Sequence, residues 1–399
     1  MTAERCDVVV IGAGIHGAGV AQAAAAGGLS VLVLEQADIA SGTSSRSSKL
    51  IHGGLRYLET GQFALVRECL RERALLLKLA PELVRLQPFH IPVYADTRRR
   101  PAQLRLGLTL YALLGGLGEA NRFRAVPRRE WSALDGLETR DLRQVFQYWD
   151  AQTDDRLLTR AVMASAQALG ARLVVPGTFT GAEVSGKGCA ITYTDAGAER
   201  TCEAAALVNA AGPWVNQALA KIRPAVAPLD IELVQGAHLV LDGALTRGIY
   251  YMEAPRDGRP VFAMPWQGKL LLGTTETPYA GDPAAVAPLA QEREYLLETL
   301  AHYFPAYRSA PHTRVLDAFA GLRVLPRDGA SAFSRPRDTV LHTDRAKRPR
   351  VLTIYGGKLT AYRTTAEKVL QELTPSLPER VITASTRALP LRSESTPSN

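Results

Sequence analysis

Three glycines, Gly12, Gly14 and Gly17, follow a short apolar run at residues 8–11. A second apolar run at 31–34 ends in Glu35, about 20 residues beyond the first glycine. Strand, glycine turn, helix, strand and acid, in that order, make a dinucleotide-binding unit. The first glycine permits the tight turn, the second lets backbone approach a pyrophosphate, and the third lets helix and strand touch. The helix N-terminus adds N–H donors and partial positive charge for the phosphates. A carboxylate at Glu35 can hold the two ribose hydroxyls and would repel an added 2′-phosphate, which argues against NADP. The fingerprint alone does not choose between FAD and NAD.

Other stretches carry residues suited to a polar cofactor or an anionic substrate. Residues 41–57, SGTSSRSSKLIHGGLRY, are dense in hydroxyls and glycine and end in a cation and an aromatic ring. Clusters of this kind are usually loops, yet Lys49, His52, Gly53, Gly54 and Arg56 are spaced more pointedly than a linker needs. Residues 207–214, LVNAAGPW, put small side chains at a strand end, where backbone can approach a bound nucleotide. Residues 355–363, YGGKLTAYR, place a strand end, two glycines and a helix start in succession. That helix N-terminus could stabilise negative charge on a reduced flavin ring. Taken alone, His238 in the apolar run GAHLVL reads as a core histidine, and His52 as loop scaffold. Arg323, flanked by apolar residues in GLRVLP, calls for a buried partner or a ligand. Glu276 in GTTE reads equally well as structural. No metal-ligand cluster is visible.

These groups need elements to hold them. Small residues at 18–28 suit a helix packed tightly on a sheet. Phe63, Val66, Leu70, Ala74 and Leu77 recur at helical spacing within 61–83. The basic cluster Arg98, Arg99, Arg100 and Arg105 runs into an apolar stretch at 104–117. That pattern suits either a membrane-interface helix or a buried helix with a solvated start. Asp154 or Asp155 caps a helix that leads to a strand from Arg172. Segments around 179–184 and 190–193 alternate as an antiparallel excursion, and 207–212 returns as a buried strand. Residues 229–278 read as antiparallel strands broken at Asp242–Gly243, Asp257–Gly258 and Gln267–Gly268. A helix over 289–303 follows, and 315–326 leads back toward the first domain. The expected fold class is α/β. A discontinuous nucleotide domain takes 1–85, 151–222 and 310–385, an α+β cap with an antiparallel sheet takes 86–150 and 223–309, and 386–399 is a flexible tail.

With 399 residues, 46% hydrophobic and 22% charged, the chain suits two globular domains. The formal net charge of +8 is compatible with an anionic substrate, an anionic membrane or a solvated basic surface. No nucleic-acid-binding motif accompanies it. Four cysteines without CxxC spacing suit a reducing compartment. The first strand starts almost at the N-terminus, leaving no room for a signal peptide. A cytoplasmic position, peripheral on the inner face of the cell membrane, is the expectation.

IGAGIHGAG, TSSRSSKLIHGGLRYLE, LVNAAGPWV, the GAH at His238, GTTE, GLRVLP and GGKLTAYR occur here in one order. Together they resemble the FAD-dependent glycerol-3-phosphate dehydrogenases, in a short form without the C-terminal helical domain. The resemblance implies FAD and a Rossmann-like domain of the amino-acid-oxidase type under a cap. It implies that Gly12, Gly14, Gly17 and Glu35 hold the adenosine half of FAD. Ser44, Ser48, Leu50 and Gly53 would follow the pyrophosphate and ring, and Gly212, Gly357, Lys358, Leu359 and Thr360 would complete the pocket. His238, Arg323 and Lys358 match catalytic positions, and Arg56, Tyr57 and Arg337 substrate-binding ones, with Arg335 the alternative to Arg337. The implied reaction is oxidation of glycerol 3-phosphate to dihydroxyacetone phosphate by hydride transfer to flavin, with electrons passed to quinone or to oxygen. Converging arginines suit a phosphate dianion, and a histidine suits the alcohol proton.

His16 stands where the fingerprint commonly carries a polar amide, at a position expected to tolerate change. The chain stops soon after GGKLTAYR, which leaves oligomeric state and electron acceptor open. Two alternatives stand beside the leading one. One is an FAD enzyme acting on an amino or 2-hydroxy acid, and the other a non-catalytic FAD-binding protein.

Overall fold

A computed structural model describes residues 4–309, 314–327 and 339–393. Two sheets divide the chain. In the first, strands Arg172–Val174, Val31–Leu34, Glu4–Ile11, Ala198–Asn209 and Val351–Tyr355 lie side by side and parallel. The opening strand is central, so its carboxyl end faces the crevice where such sheets bind nucleotides. The early half of Ala198–Asn209 also pairs antiparallel with Cys189–Asp195, which pairs with Gly177–Val184. This is the antiparallel excursion read from the alternation at 179–193.

Helix α1 (Ile15–Ala26) is apolar on every side, and all its residues except His16 are buried. A helix with no polar face belongs inside. Its small residues let neighbours come close. A Cβ on Gly19 would lie 2.7 Å from the Tyr362 ring, which belongs to the last helix. Helix α2 (Phe63–Leu79) buries Val66, Cys69, Leu70, Glu72, Arg73 and Leu76, and Phe63 is 46% exposed. Its inner face is thus rotated from the apolar stripe that the sequence suggested. Two charged residues lie on that face because each has a partner: Glu72 takes two hydrogen bonds from Arg363 (2.8 and 2.6 Å), and Arg73 pairs with Asp150.

The second sheet is largely antiparallel. Its main path runs through Thr277–Tyr279, Ile231–Leu241, Lys269–Gly273, Pro260–Trp266, Ile249–Glu253, Val84–Tyr94, Leu142–Thr153 and Leu50–Ile51. Val315–Pro326, expected on the way back to the first domain, belongs to this sheet and pairs along nearly all of Ile231–Leu241. Helix α3 (Pro101–Leu114) buries Leu104, Leu108, Tyr111 and Ala112 against the sheet. Leu106 (71% exposed), Leu113 (55%) and Leu117 (57%) stay outside. The basic cluster before it is not all solvated: Arg99 pairs with Glu59 and Glu253.

Helix α4 (Asp155–Ala168) is capped by Asp154, whose side chain accepts from the Leu157 N–H. Asp155 has a different task, pairing with Lys49. A short helix α5 (Val215–Leu219), then α6 (Ala290–Tyr303) and α7 (Tyr362–Leu373), complete the helical set used below. After α7 the chain doubles back over the first domain. Arg380 pairs with Asp7 (2.8 Å), the Ala384 N–H donates to the Ala26 carbonyl, and Leu391 is 2% exposed. The expected flexible tail from 386 is therefore fastened at least to Leu391. Residues 394–399 lie outside the described part.

Candidate active site

The carboxyl ends of four parallel strands open on one cavity of about 480 Å³. Gly12, Glu35, Gly212 and Gly357 each follow one of those strands and line it. Gly12 has φ +95°, and a Cβ there would lie 2.8 Å from the Ala210 carbonyl oxygen. Backbone geometry and space both require glycine. Glu35 accepts from the Ala13 N–H (2.8 Å) and the Ala37 N–H (3.0 Å). Those bonds hold the carboxylate beside the turn and leave lone pairs for ribose hydroxyls. Ser44 Oγ accepts from the Ile15 N–H at the start of α1 (2.9 Å), and Gly14 lies beside it.

Ser48, Leu50, Leu359 and Thr360 also line the cavity. The Thr360 hydroxyl accepts from the His52 N–H (3.1 Å), joining the loop after the last strand to the 50–57 loop. Gly17 and Gly53, also expected at the cofactor, are not among the lining residues. A Cβ on Gly17 would run into the Gly12 carbonyl, so Gly17 shapes the turn from behind. The Gly53 N–H donates to the Tyr111 hydroxyl (2.8 Å), which donates to Asp150 (2.6 Å). That chain of bonds fixes the loop carrying Arg56 and Tyr57.

Toward the second sheet the same cavity is lined by Arg56, Tyr57, His238, Arg323 and Lys358. Five residues from four separate stretches of sequence thus meet in one cleft. Lys358 Nζ sits 3.5 Å from the centroid of the Tyr57 ring. It is buried, with no hydrogen-bond partner among the described residues. Arg323 donates to the Thr275 carbonyl (3.3 Å) and Thr274 hydroxyl (3.4 Å), and lies 4.0 Å from Glu276. Burial lowers its pKa to about 10 against the raising influence of Tyr57, with nearby Arg56 lowering it further. It remains a cation at neutral pH. Gly236 makes room for it, since a Cβ there would be 2.8 Å from Arg323 Nη2.

His238 is 2% exposed. Its ring stacks on Phe319 at 4.9 Å, and its Nε2 is 2.9 Å from Ser48 Oγ. Burial first, then Arg323 and Lys49, push its pKa down to about 3, so the ring is neutral at pH 7. Lys49 packs against Phe319 with Nζ 5.2 Å from the ring centroid. Arg335 and Arg337 lie outside the described residues.

Sequence reasoning missed three groups. Arg259 lines the cavity and donates to the Glu276 carbonyl (3.0 Å). It directly follows the Asp257–Gly258 turn, read only as a strand break. Tyr251 and Phe262 add an aromatic wall. Buried Glu292 on α6 accepts from the Thr275 and Thr277 hydroxyls (both 2.7 Å) and from Gln235 (2.5 Å). It thereby fixes the segment on which Arg323 rests.

Comparison with known proteins shows the family. The sequence pattern of the family described as "FAD dependent oxidoreductase" matches residues 7–363. The chain belongs to that family. D-erythritol 1-phosphate dehydrogenase of Brucella abortus (strain 2308) is 36% identical over 382 residues, covering 94% of this chain and 75% of that one. The aerobic glycerol-3-phosphate dehydrogenase of Escherichia coli (strain K12) is 37% identical over 383 residues, covering 93% and 74%. Among solved structures, the glycerol-3-phosphate dehydrogenase from Bacillus halodurans complexed with FAD superposes with a TM-score of 0.73 at 29% identity, covering 98% of this chain and 68% of that one.

As an FAD-dependent oxidoreductase the protein uses FAD, and the cleft fits it. The glycine turn and the α1 start offer N–H donors suited to its phosphates, and Glu35 offers lone pairs suited to a ribose. The unpartnered Lys358 ammonium marks where negative charge is wanted.

Proposed function

We propose that the protein oxidises glycerol 3-phosphate to dihydroxyacetone phosphate and passes the electrons to a membrane quinone. The observation that carries this reading is the convergence of Arg56, Arg323 and Lys358 on one cavity that also contains the nucleotide turn. A phosphate dianion needs several cations, and arginine can meet its oxygens through two parallel donors. Bound FAD supplies the two-electron acceptor. Arg56 and Arg323 anchor the phosphate end. Tyr57, under the Lys358 ammonium, keeps that cation in place. Arg323 and Lys358 offset negative charge on the alcohol oxygen as its proton leaves. Neutral His238, whose ring lies 2.9 Å from Ser48 Oγ, is the imidazole we assign to take that proton, directly or through the Ser48 hydroxyl. Similarity to an enzyme named for D-erythritol 1-phosphate favours a second reading, a longer polyol phosphate, which uses the same cations.

Anaerobic mixing of the holoenzyme with candidate substrates tests this. Glycerol 3-phosphate is expected to bleach the flavin absorbance, and amino acids and 2-hydroxy acids are expected not to. Bleaching by erythritol 1-phosphate alone would assign the second reading. Bleaching by amino acids alone would overturn both. Delivery to quinone requires approach to a membrane. We place that contact at the outer face of α3, where Leu106, Leu113 and Leu117 are exposed beside Arg100 and Arg105. Among the described residues no helix is long and apolar enough to cross a membrane. The contact proposed is therefore peripheral, from the cytoplasmic side.

A further inference from the structure

His16 is the one residue of α1 that is not fully buried, and it lines the cavity. Its two ring nitrogens stand in different surroundings. Nδ1 is buried and has no hydrogen-bond partner among the described residues. Nε2 lies against Gly357 on the loop after the last parallel strand, so closely that a Cβ at that position would collide with the ring. Gly357 also has φ +110°, so the loop is shaped around the imidazole as well as around its own turn.

The surroundings decide which nitrogen carries the proton. A neutral imidazole has one N–H and one bare nitrogen. A buried N–H without an acceptor is among the rarest arrangements in folded proteins, and an under-used acceptor is tolerated more often. Nδ1 is therefore the bare nitrogen, and Nε2 carries the hydrogen at the cavity edge. Burial lowers the pKa of the ring to about 4, so this neutral form persists at physiological pH. The polar amide common at this place in the fingerprint would likewise offer an N–H.

We infer that His16 is a cofactor-binding residue whose Nε2–H donates to an oxygen of the flavin nucleotide, between the phosphate site at α1 and the 356–360 loop. His16 is then no tolerant position in the fingerprint. It is a donor contributed by the helix to the wall formed by the loop. The inference rests on the flavin nucleotide occupying this cleft.

The test compares flavin release from holoenzymes of wild type, His16→Asn and His16→Leu, read as recovery of free-FAD fluorescence after dilution. His16→Asn keeps a donor and is expected to release FAD within about threefold of the wild-type rate. His16→Leu keeps bulk without a donor and is expected to release it about tenfold faster, as loss of one hydrogen bond implies. His16→Met gives a second donor-free side chain if the leucine variant does not fold. A shifted visible spectrum in the donor-free variant would assign the acceptor to a ring carbonyl. An unshifted spectrum with faster release would assign it to a ribityl or phosphate oxygen. Release at the wild-type rate from a folded donor-free variant would overturn the inference. A wild type that purifies without flavin would instead defeat the placement of FAD in the cleft.

Discussion

At Arg323 two properties meet that are seldom combined, burial and a full positive charge. The guanidinium is held by the carbonyl of Thr275 and the hydroxyl of Thr274, with Glu276 at 4.0 Å, and Gly236 leaves it space. Arg323→Lys would keep the charge but lose the paired donors. Its kcat/KM for glycerol 3-phosphate is expected to fall nearly as far as that of Arg323→Ala. Each should fall on the order of a hundredfold, the value of one charge-assisted contact. Steady-state kinetics checks this, and a lysine variant close to wild type would show that fork geometry is unimportant. The histidines set a pH dependence of stability. His16 and His90 are depressed to about 4 and His238 to about 3, each mainly by burial. In the unfolded chain they take protons below about 6.5, while the folded forms stay neutral. Stability is therefore full above that pH and falls as the pH drops toward 4. Each histidine contributes a slope of up to about 1.4 kcal/mol per pH unit. The melting temperature should decline from pH 7 to pH 5. His90→Gln, away from the cavity, should flatten the decline.

Elements matter here mainly as anchors for loops. The 50–57 loop, which carries Arg56 and Tyr57, is tied to α3 by the Gly53 N–H, Tyr111 and Asp150, and Asp150 is held by Arg73 of α2. Helix α3 thus faces two ways, with Tyr111 inward on the site loop and Leu106 outward. Tyr111→Phe removes one hydroxyl and leaves both a buried N–H and a carboxylate oxygen short of a partner. A stability loss of about 1–3 kcal/mol is expected. Because the loop presents Arg56, the arginine proposed to meet the phosphate, KM for the substrate should rise several-fold while kcat changes less. Urea unfolding and kinetics on the same preparation check both. Equal loss of kcat and kcat/KM with unchanged KM would mean that the loop is held by other bonds.

Across the whole molecule, the cleft exists only because the first sheet supplies the nucleotide turn and Lys358, and the second supplies His238 and Arg323. Cofactor and substrate residues interleave along the chain, and Leu50–Ile51 pairs in the second sheet although it sits between segments serving the first. The exposed leucines of α3 extend the same logic outward, on the opposite side of the helix from Tyr111. The protein is expected to sediment with anionic liposomes at low salt and to be released as salt screens the arginines. Leu106→Glu together with Leu113→Glu should abolish sedimentation and leave flavin bleaching by substrate unchanged. Binding that survives the double substitution would move the membrane contact elsewhere.

Residue type and spacing alone fixed the nucleotide turn, because a sharp turn, a close pyrophosphate and an acid for ribose each demand a particular side chain at a particular interval. The motifs also brought Arg56, His238, Arg323 and Lys358 forward as candidates. They could not place Gly53 against Tyr111, because a glycine's neighbours across space leave no mark on its sequence neighbours. Residues 315–326 read only as a return toward the first domain, and their place beside Ile231–Leu241 was not legible, since strand pairing is set across space. Arg259 looked like the end of a turn until the second sheet folded it over the cleft. The charges Glu72, Arg73 and Glu292 are buried on their helices. Only tertiary structure supplies the opposite charges and hydroxyls that make burial of an ion tolerable, and so only it could decide which polar residues belong inside.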